Sequence, residues 1–242
     1  MKPSTLRSAV RLATAIAICW QSGAVPFAQS DPDGARVIHL IDSAVQHRFD
    51  QVLGFTDVEH YQVFRGSNES TPAAEMTVKT SYKKGVGKSY EILSRSGSEV
   101  IQHFGLEPLL NNEKTINIPG KVERSWFNSA NYEMTLSSAN VESHDGRSCY
   151  VLNVTARNKA SNAINGRLWV DVVTGNIVKL DGVATKNPSV FSGSTHMMRQ
   201  YTDIDSFPMA THDRAESISA LFGRTVVTID YAQYHLDLAP SH

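Results

Sequence analysis

The chain is poor in cysteine, holding only Cys19 and Cys149. That scarcity excludes the disulfide framework of small secreted domains. Cys19 is preceded by the bulky Ile18, whereas a lipid-attachment cysteine follows a small residue. Cys149 lies in the strand-like "SCYVLNVTA" and reads as a buried, inert thiol. An excess of either charge is also missing: 23 Lys and Arg stand against 24 Asp and Glu, a net charge of -1. A chain so balanced has no electrostatic footprint for nucleic acid. Long apolar runs are absent too; the one in "LATAIAICW" is about half of the ~20 residues that a bilayer span requires.

Catalytic and metal-binding patterns are equally scarce. The nine histidines are scattered, with no HExxH or paired-cysteine grouping, and no G-x-S-x-G elbow occurs. "YKKGVGKSY" (82–90) imitates the end of a phosphate-binding loop. That motif needs a glycine where Tyr82 stands and a helix after it, whereas strand-like segments flank this stretch on both sides. A hairpin turn is expected there, with no nucleotide bound. The pattern requires no cofactor and no metal, and the chain is expected to be non-enzymatic.

What is present begins with "MKPSTLRSAVRLATAIAICWQSGAVPFAQS". Lys2, Arg7 and Arg11 precede a short apolar run and then small, turn-forming residues, the order of a secretory signal peptide. The expectation is a leader over 1–28, cut within 24–30, followed by one domain over 31–238 and a periplasmic location. "RVIHLIDSAVQHRFDQVLGF" (36–55) places Val37, Ile41, Ala44 or Val45, and Phe49 at helical spacing, with Gly54 as the stop.

From Val58 the period becomes two. "EMTVKTSYK" puts Met76, Val78, Thr80 and Tyr82 on one face. "KSYEILS", "NYEMTLS", "CYVLNVTA" and 224–236 behave alike, and "EVIQHF" (99–104) and "STHMMRQYTDI" (194–204) are bounded like strands. In "GRLWVDVVTGNIVKLDG" (166–182), Leu168, Val170 and Val172 alternate against Arg167, Trp169 and Asp171. A Gly-containing turn follows, and Val178 and Leu180 alternate on the return, a β-hairpin signal. Leu106, Leu109 and Leu110 in "GLEPLLNNEKTINIPGKVERSW" (105–126) line a short helix that interrupts the strands. About ten strands at short spacing predict a mainly β, α+β chain built as an antiparallel meander.

"FNSANYEM" (127–134), "LWVDVVTGNIVKLDG" (168–182), "TKNPS" (185–189) and "ISALFGRTVVTIDYAQY" (218–234) resemble the bacterial periplasmic LolA-like proteins that sort outer-membrane lipoproteins. The resemblance implies an incomplete β-barrel, open on one side and lidded by helices, here 36–53 and 106–116 with Leu106, Leu109 and Leu110. It also implies a hydrophobic cavity for lipid or lipoprotein acyl chains, a positioned arginine that no motif locates, and envelope lipoprotein-transport components as partners. The residues expected to line the cavity are Tyr150, Leu152, Val154, Leu168, Val170, Val172, Val178, Leu180, Val227, Ile229 and Tyr231. The reading is a binding or carrier protein for a hydrophobic ligand. The alternative is an envelope sensor that uses the same sheet to bind a protein partner.

Overall fold

A computed structural model describes residues 32–138, 140–158, 163–186, 194–219 and 223–240. The leader expected over 1–28 lies outside them.

Helix α1 runs Pro32–Gln51 and passes directly into strand β1, Val52–Arg65. Gly54 is therefore not the helix stop expected above but a strand residue. A Cβ there would stand 2.9 Å from the Tyr82 carbonyl oxygen, so the glycine serves the close approach of β1 to its neighbour. Strands β2 (Ala74–Lys83) and β3 (Gly87–Gly97) follow. The turn between them is the expected hairpin, and "GVGKS" (85–89) runs from that turn into β3.

The stretch 99–104 corrects a second expectation. It is helical: α2 spans Glu99–Ile101, a π-helical segment spans Gln102–Leu106, and α3 spans Glu107–Ile116. Buried Gln102 donates to the carbonyls of Glu75 and Ser96, both at 2.7 Å, tying this helical run to β2 and β3. Strands β4 (Tyr132–Leu136), β5 (Glu142–His144), β6 (Arg147–Ala156), β7 (Ile164–Asp171), β8 (Ile177–Ala184), β9 (Thr195–Ile204), β10 (Phe207–Ser219) and β11 (Gly223–Leu238) complete the order.

All eleven strands belong to one antiparallel sheet in the order β3-β2-β1-β11-β10-β9-β8-β7-β6-β4, with β5 pairing β6. The end strands β3 and β4 do not pair with each other, so the sheet stays open rather than closing into a barrel. This is the expected class: a mainly β chain, an antiparallel meander, with helices on one face. Directly opposed residues on antiparallel strands share a face. The register therefore threads one row across the inner face: Leu152, Leu168, Leu180, Arg199, Asp213, Ile229, Tyr61 and Met76.

Two apolar clusters flank this row. Val37 and Ile41 of α1 bury themselves on Leu152, Val154, Leu168 and Val170. Leu106 and Leu110 bury themselves on Tyr61, Met76 and Val78. Gly175, at φ +75°, lets the β7–β8 turn touch α1: a Cβ there would lie 2.7 Å from the Leu40 carbonyl oxygen.

A cavity between two helices with a charged floor

The open space lies between the two clusters. A cavity of about 420 Å³ is walled by the C-terminal half of α1, by α3 and the segment after it, and by the inner face of the sheet. Its apolar wall includes Phe49, Phe55, Leu109, Ile116, Trp126 and Leu180. Phe49 meets Trp126 with ring centroids 4.4 Å apart, and Lys84 sits over the other part of that aromatic corner, 4.0 Å from the Phe49 centroid. On this volume and lining the cavity falls in the ~300–1,000 Å³ class of small-ligand sites.

The expected lining residues divide into groups. Leu180, Val227, Ile229 and Tyr231 line the cavity, as does Leu109 of the expected lid. Leu106 and Leu110 are buried against β1 and β2 and anchor the helix. Leu152, Val154, Leu168 and Val170 occupy the inner face but are sealed beneath α1. Tyr150 packs at the edge of that cluster, where its hydroxyl accepts from Arg36 at 3.2 Å.

Two placements are corrected. Val172 lies in the turn after β7, not in the strand, and packs beside Leu40 and Tyr150 near the start of α1. Val178 faces the opposite side of the sheet, clustered with Cys149, Val151 and Trp169. The cause is a β-bulge: Trp169 pairs with Lys179 while Val170 pairs with Ile177. The extra residue, Val178, is thereby turned outward and Ile177 takes the inner position. On that outer face Trp169 donates to Glu142 at 3.0 Å. Arg167 and Lys179 lie 4.9 and 4.8 Å from its ring centroid. Cys149 is fully buried there, and burial pushes its thiol up to about 11.

The floor of the cavity is charged, which the alternation did not disclose. Arg199 and Asp213 are directly opposed on β9 and β10. The Arg199 Nε donates to Asp213 Oδ1 at 2.6 Å, and a second bond joins Nη2 to Oδ2. Tyr231 donates to the same carboxylate at 2.9 Å. Burial works against the Arg199 cation, but Asp213, together with Tyr231 and Tyr201, outweighs it and holds the guanidinium well above its ordinary range. Strand β1 turns two carboxylates inward, Asp57 and Glu59, 2% and 1% exposed. Lys88 of β3 reaches Glu59 at 3.6 Å and Glu113 of α3 at 3.3 Å. Burial opposes its charge, and Glu113 and Glu59 more than restore it. Among the described residues no cation pairs directly with Asp57; its only support comes from the nearby hydroxyls of Tyr234 and Thr80, too loosely placed for well-formed hydrogen bonds. Burial first, and Glu59 second, raise its carboxyl to about 7. The lysine of "GVGKS" thus turns inward to carboxylates.

Arg48, on the last turn of α1, completes the set. Its Nε donates to the Pro208 carbonyl at 3.1 Å and its Nη2 to the Met209 sulfur at 3.3 Å. Of these residues, sequence reasoning missed Arg48, Asp57, Glu59, Glu113, Arg199 and Asp213. The available signal was their phase: each acid or base of β1, β9 and β10 stands where the alternation requires an inward side chain.

No family model matches the sequence, and no curated protein does. Solved structures are similar to it over most of its length. A LolA superfamily protein from Nitrosomonas europaea is 14% identical, with 86% of this chain and 94% of that chain covered and a TM-score of 0.44. A DUF1329 family protein from Desulfovibrio piger is 16% identical, covering 86% and 95%, with a TM-score of 0.45. A putative outer membrane lipoprotein-sorting protein domain from Vibrio parahaemolyticus is 11% identical, covering 87% and 94%, with a TM-score of 0.46. At such identities and scores these likenesses carry no argument about activity; that rests on the cavity.

Proposed function

We propose that this chain is a non-enzymatic periplasmic binding or carrier protein that holds a hydrophobic ligand, the acyl chain of a lipid or lipoprotein, in the cavity between α1 and α3. The observation that carries the reading is the cavity itself: about 420 Å³, walled by aromatic and aliphatic side chains from two helices and the sheet. Burying a methylene stabilises by ~0.8 kcal/mol, so a fifteen-carbon chain offers about 12 kcal/mol gross. Association and ordering take back several kcal/mol or more. The surplus suffices for binding without covalent chemistry. Export would place the protein where such ligands pass between membranes, with envelope lipoprotein-transport components as donor and acceptor.

The test is mass spectrometry of an organic extract of the purified chain. A lipid or fatty acid recovered near one per protein supports the reading. An extract without acyl species, from a protein that also takes up no apolar probe, refutes it. A second reading, an envelope sensor for a protein partner, draws on one observation: β3 ends the sheet and exposes Ile92 and Leu93. A stable protein complex that forms without lipid would favour it.

A further inference from the structure

We infer that the ligand of this cavity carries an anionic headgroup, a carboxylate or a phosphate, and that Arg48 receives it. The inference rests on the binding reading above and adds the chemical class of the ligand.

The charges that line the cavity are paired, with Arg48 as the cationic exception. Lys88 has Glu59 and Glu113, Arg199 has Asp213, and Arg214 has Glu69 at 2.7 Å and Glu216 at 3.0 Å. Among the described residues, Arg48 has no carboxylate within 4.0 Å. Its two contacts are a neutral carbonyl and a thioether, the latter a weak acceptor. A guanidinium carries more N–H donors than these two atoms occupy, and holding it half-buried at the cavity wall without a counter-charge is unfavourable. Burial accordingly lowers Arg48 from its ordinary range, and the nearby Arg199 adds to the effect.

Asp57 does not fill the gap. It sits on β1 beside Glu59, Lys88 and Thr80, outside ion-pair distance of Arg48, with its carboxyl raised to about 7. The surroundings of Arg48 instead favour an incoming anion. A second guanidinium, Arg199, is near enough to act on it electrostatically, as are the phenols of Tyr201, Tyr234 and Tyr82. A planar guanidinium takes a carboxylate or phosphate through two parallel hydrogen bonds. The next residue, Phe49, begins the apolar wall that continues through Trp126. An amphiphile with an acidic head and an apolar tail matches both ends of this arrangement.

Matched probes test it on the intact chain at pH 7, with Trp126 fluorescence as the readout: dodecanoic acid, dodecyl phosphate, dodecanol and inorganic phosphate. The expected result is that one or both acidic amphiphiles bind at least tenfold more tightly than dodecanol, and that inorganic phosphate does not saturate. Arg48→Gln should bring the acids down to the dodecanol level while leaving dodecanol within about twofold, and Arg48→Lys should keep part of the preference. Which acid wins distinguishes a carboxylate from a phosphate headgroup. Equal binding of acid and alcohol by the wild type overturns the inference and leaves the apolar cavity standing. A preference that survives in Arg48→Gln overturns it too, as does saturation by inorganic phosphate alone. If none of the amphiphiles binds, the cavity reading fails and the inference with it. The wild-type comparison remains decisive should Arg48→Gln not fold.

Discussion

The two halves of the inner face share one alternation and differ in what fills it. Under α1, strands β6 and β7 present Leu152, Val154, Leu168 and Val170, each no more than 2% exposed. Toward β9, β10, β11 and β1 the same row presents Arg199, Asp213, Ile229 and Tyr61, and the helices leave a cavity above its charged part. An apolar row is sealed by a helix until nothing remains to hold a ligand. A row interrupted by charges cannot be sealed so cheaply, because each charge needs a partner or water. The ion pairs therefore mark where the space is. Period-two alternation identifies an inner face; the breaks in it identify the site.

The largest effect should come from putting a charge under the helix. Val170→Glu buries an unpaired carboxylate in the sealed half and should cost several kcal/mol, enough to remove the cooperative thermal melt. Val227→Glu, on the cavity wall, leaves its carboxylate room to stay hydrated. It should keep a cooperative melt and weaken an apolar dye or fatty acid about tenfold, ~1.4 kcal/mol. Equal loss of fold in both variants would erase the distinction between the halves.

The central ion pair comes next. Asp213→Ala leaves the half-buried Arg199 without its counter-charge and, because the cavity keeps part of the guanidinium hydrated, should destabilise by about 1–3 kcal/mol in chemical denaturation, whereas replacing both residues with leucine should restore much of the loss. A double variant no better than the single one would mean that the pair holds the fold through more than charge.

Asp57 gives a pH signature of similar or smaller size. Its carboxyl lies at about 7 in the folded chain against an ordinary 3.8, so the folded state keeps a proton that the unfolded chain releases. Stability is full below about pH 4, falls as pH rises, and has lost on the order of 4 kcal/mol once pH exceeds 7. Asp57→Asn should therefore melt higher than wild type at pH 8 and close to it at pH 4. Parallel pH profiles for the two proteins would show that Asp57 is not strained by its burial. The smallest effect belongs to the wall of α3: Leu109→Ala should barely move the melt and should weaken apolar binding severalfold, since Leu109 lines the cavity while Leu106 and Leu110 anchor the helix.

Much of the fold was legible because burial writes a period into the chain. The helix near 36–53, the 166–182 hairpin and the helix holding Leu106, Leu109 and Leu110 all follow from spacing. Three features escaped for local reasons. Strand β10 carries no clear strand signal: its inward positions include Asp213 and Ser217, and its pairing shifts register between Ala210 and His212, so it looks polar and aperiodic. Alternation alone puts Val178 inward, because a bulge resets the phase without altering the residue types. The stretch 99–104 reads as a strand by its apolar residues, yet Gln102 is satisfied by backbone carbonyls of β2 and β3 from a helical turn, a tertiary bond no spacing reveals. The charged floor escaped for the same kind of reason. Arg48, Arg199 and Asp57 resemble solvent-facing residues until the sheet shows which way they point.

The central claim is that the half of the inner face carrying charges encloses a site for an apolar ligand, and titration with a hydrophobic dye tests it most directly. Trp126 is a cavity-wall residue and Trp169 faces the other side of the sheet, so energy transfer from tryptophan to bound dye can be followed in the wild type and in Trp126→Phe. The account predicts saturation near one dye per chain, with transfer that falls sharply in Trp126→Phe while the bound amount is kept. No saturable uptake by the folded wild type, or transfer unaffected by the loss of Trp126, would contradict it.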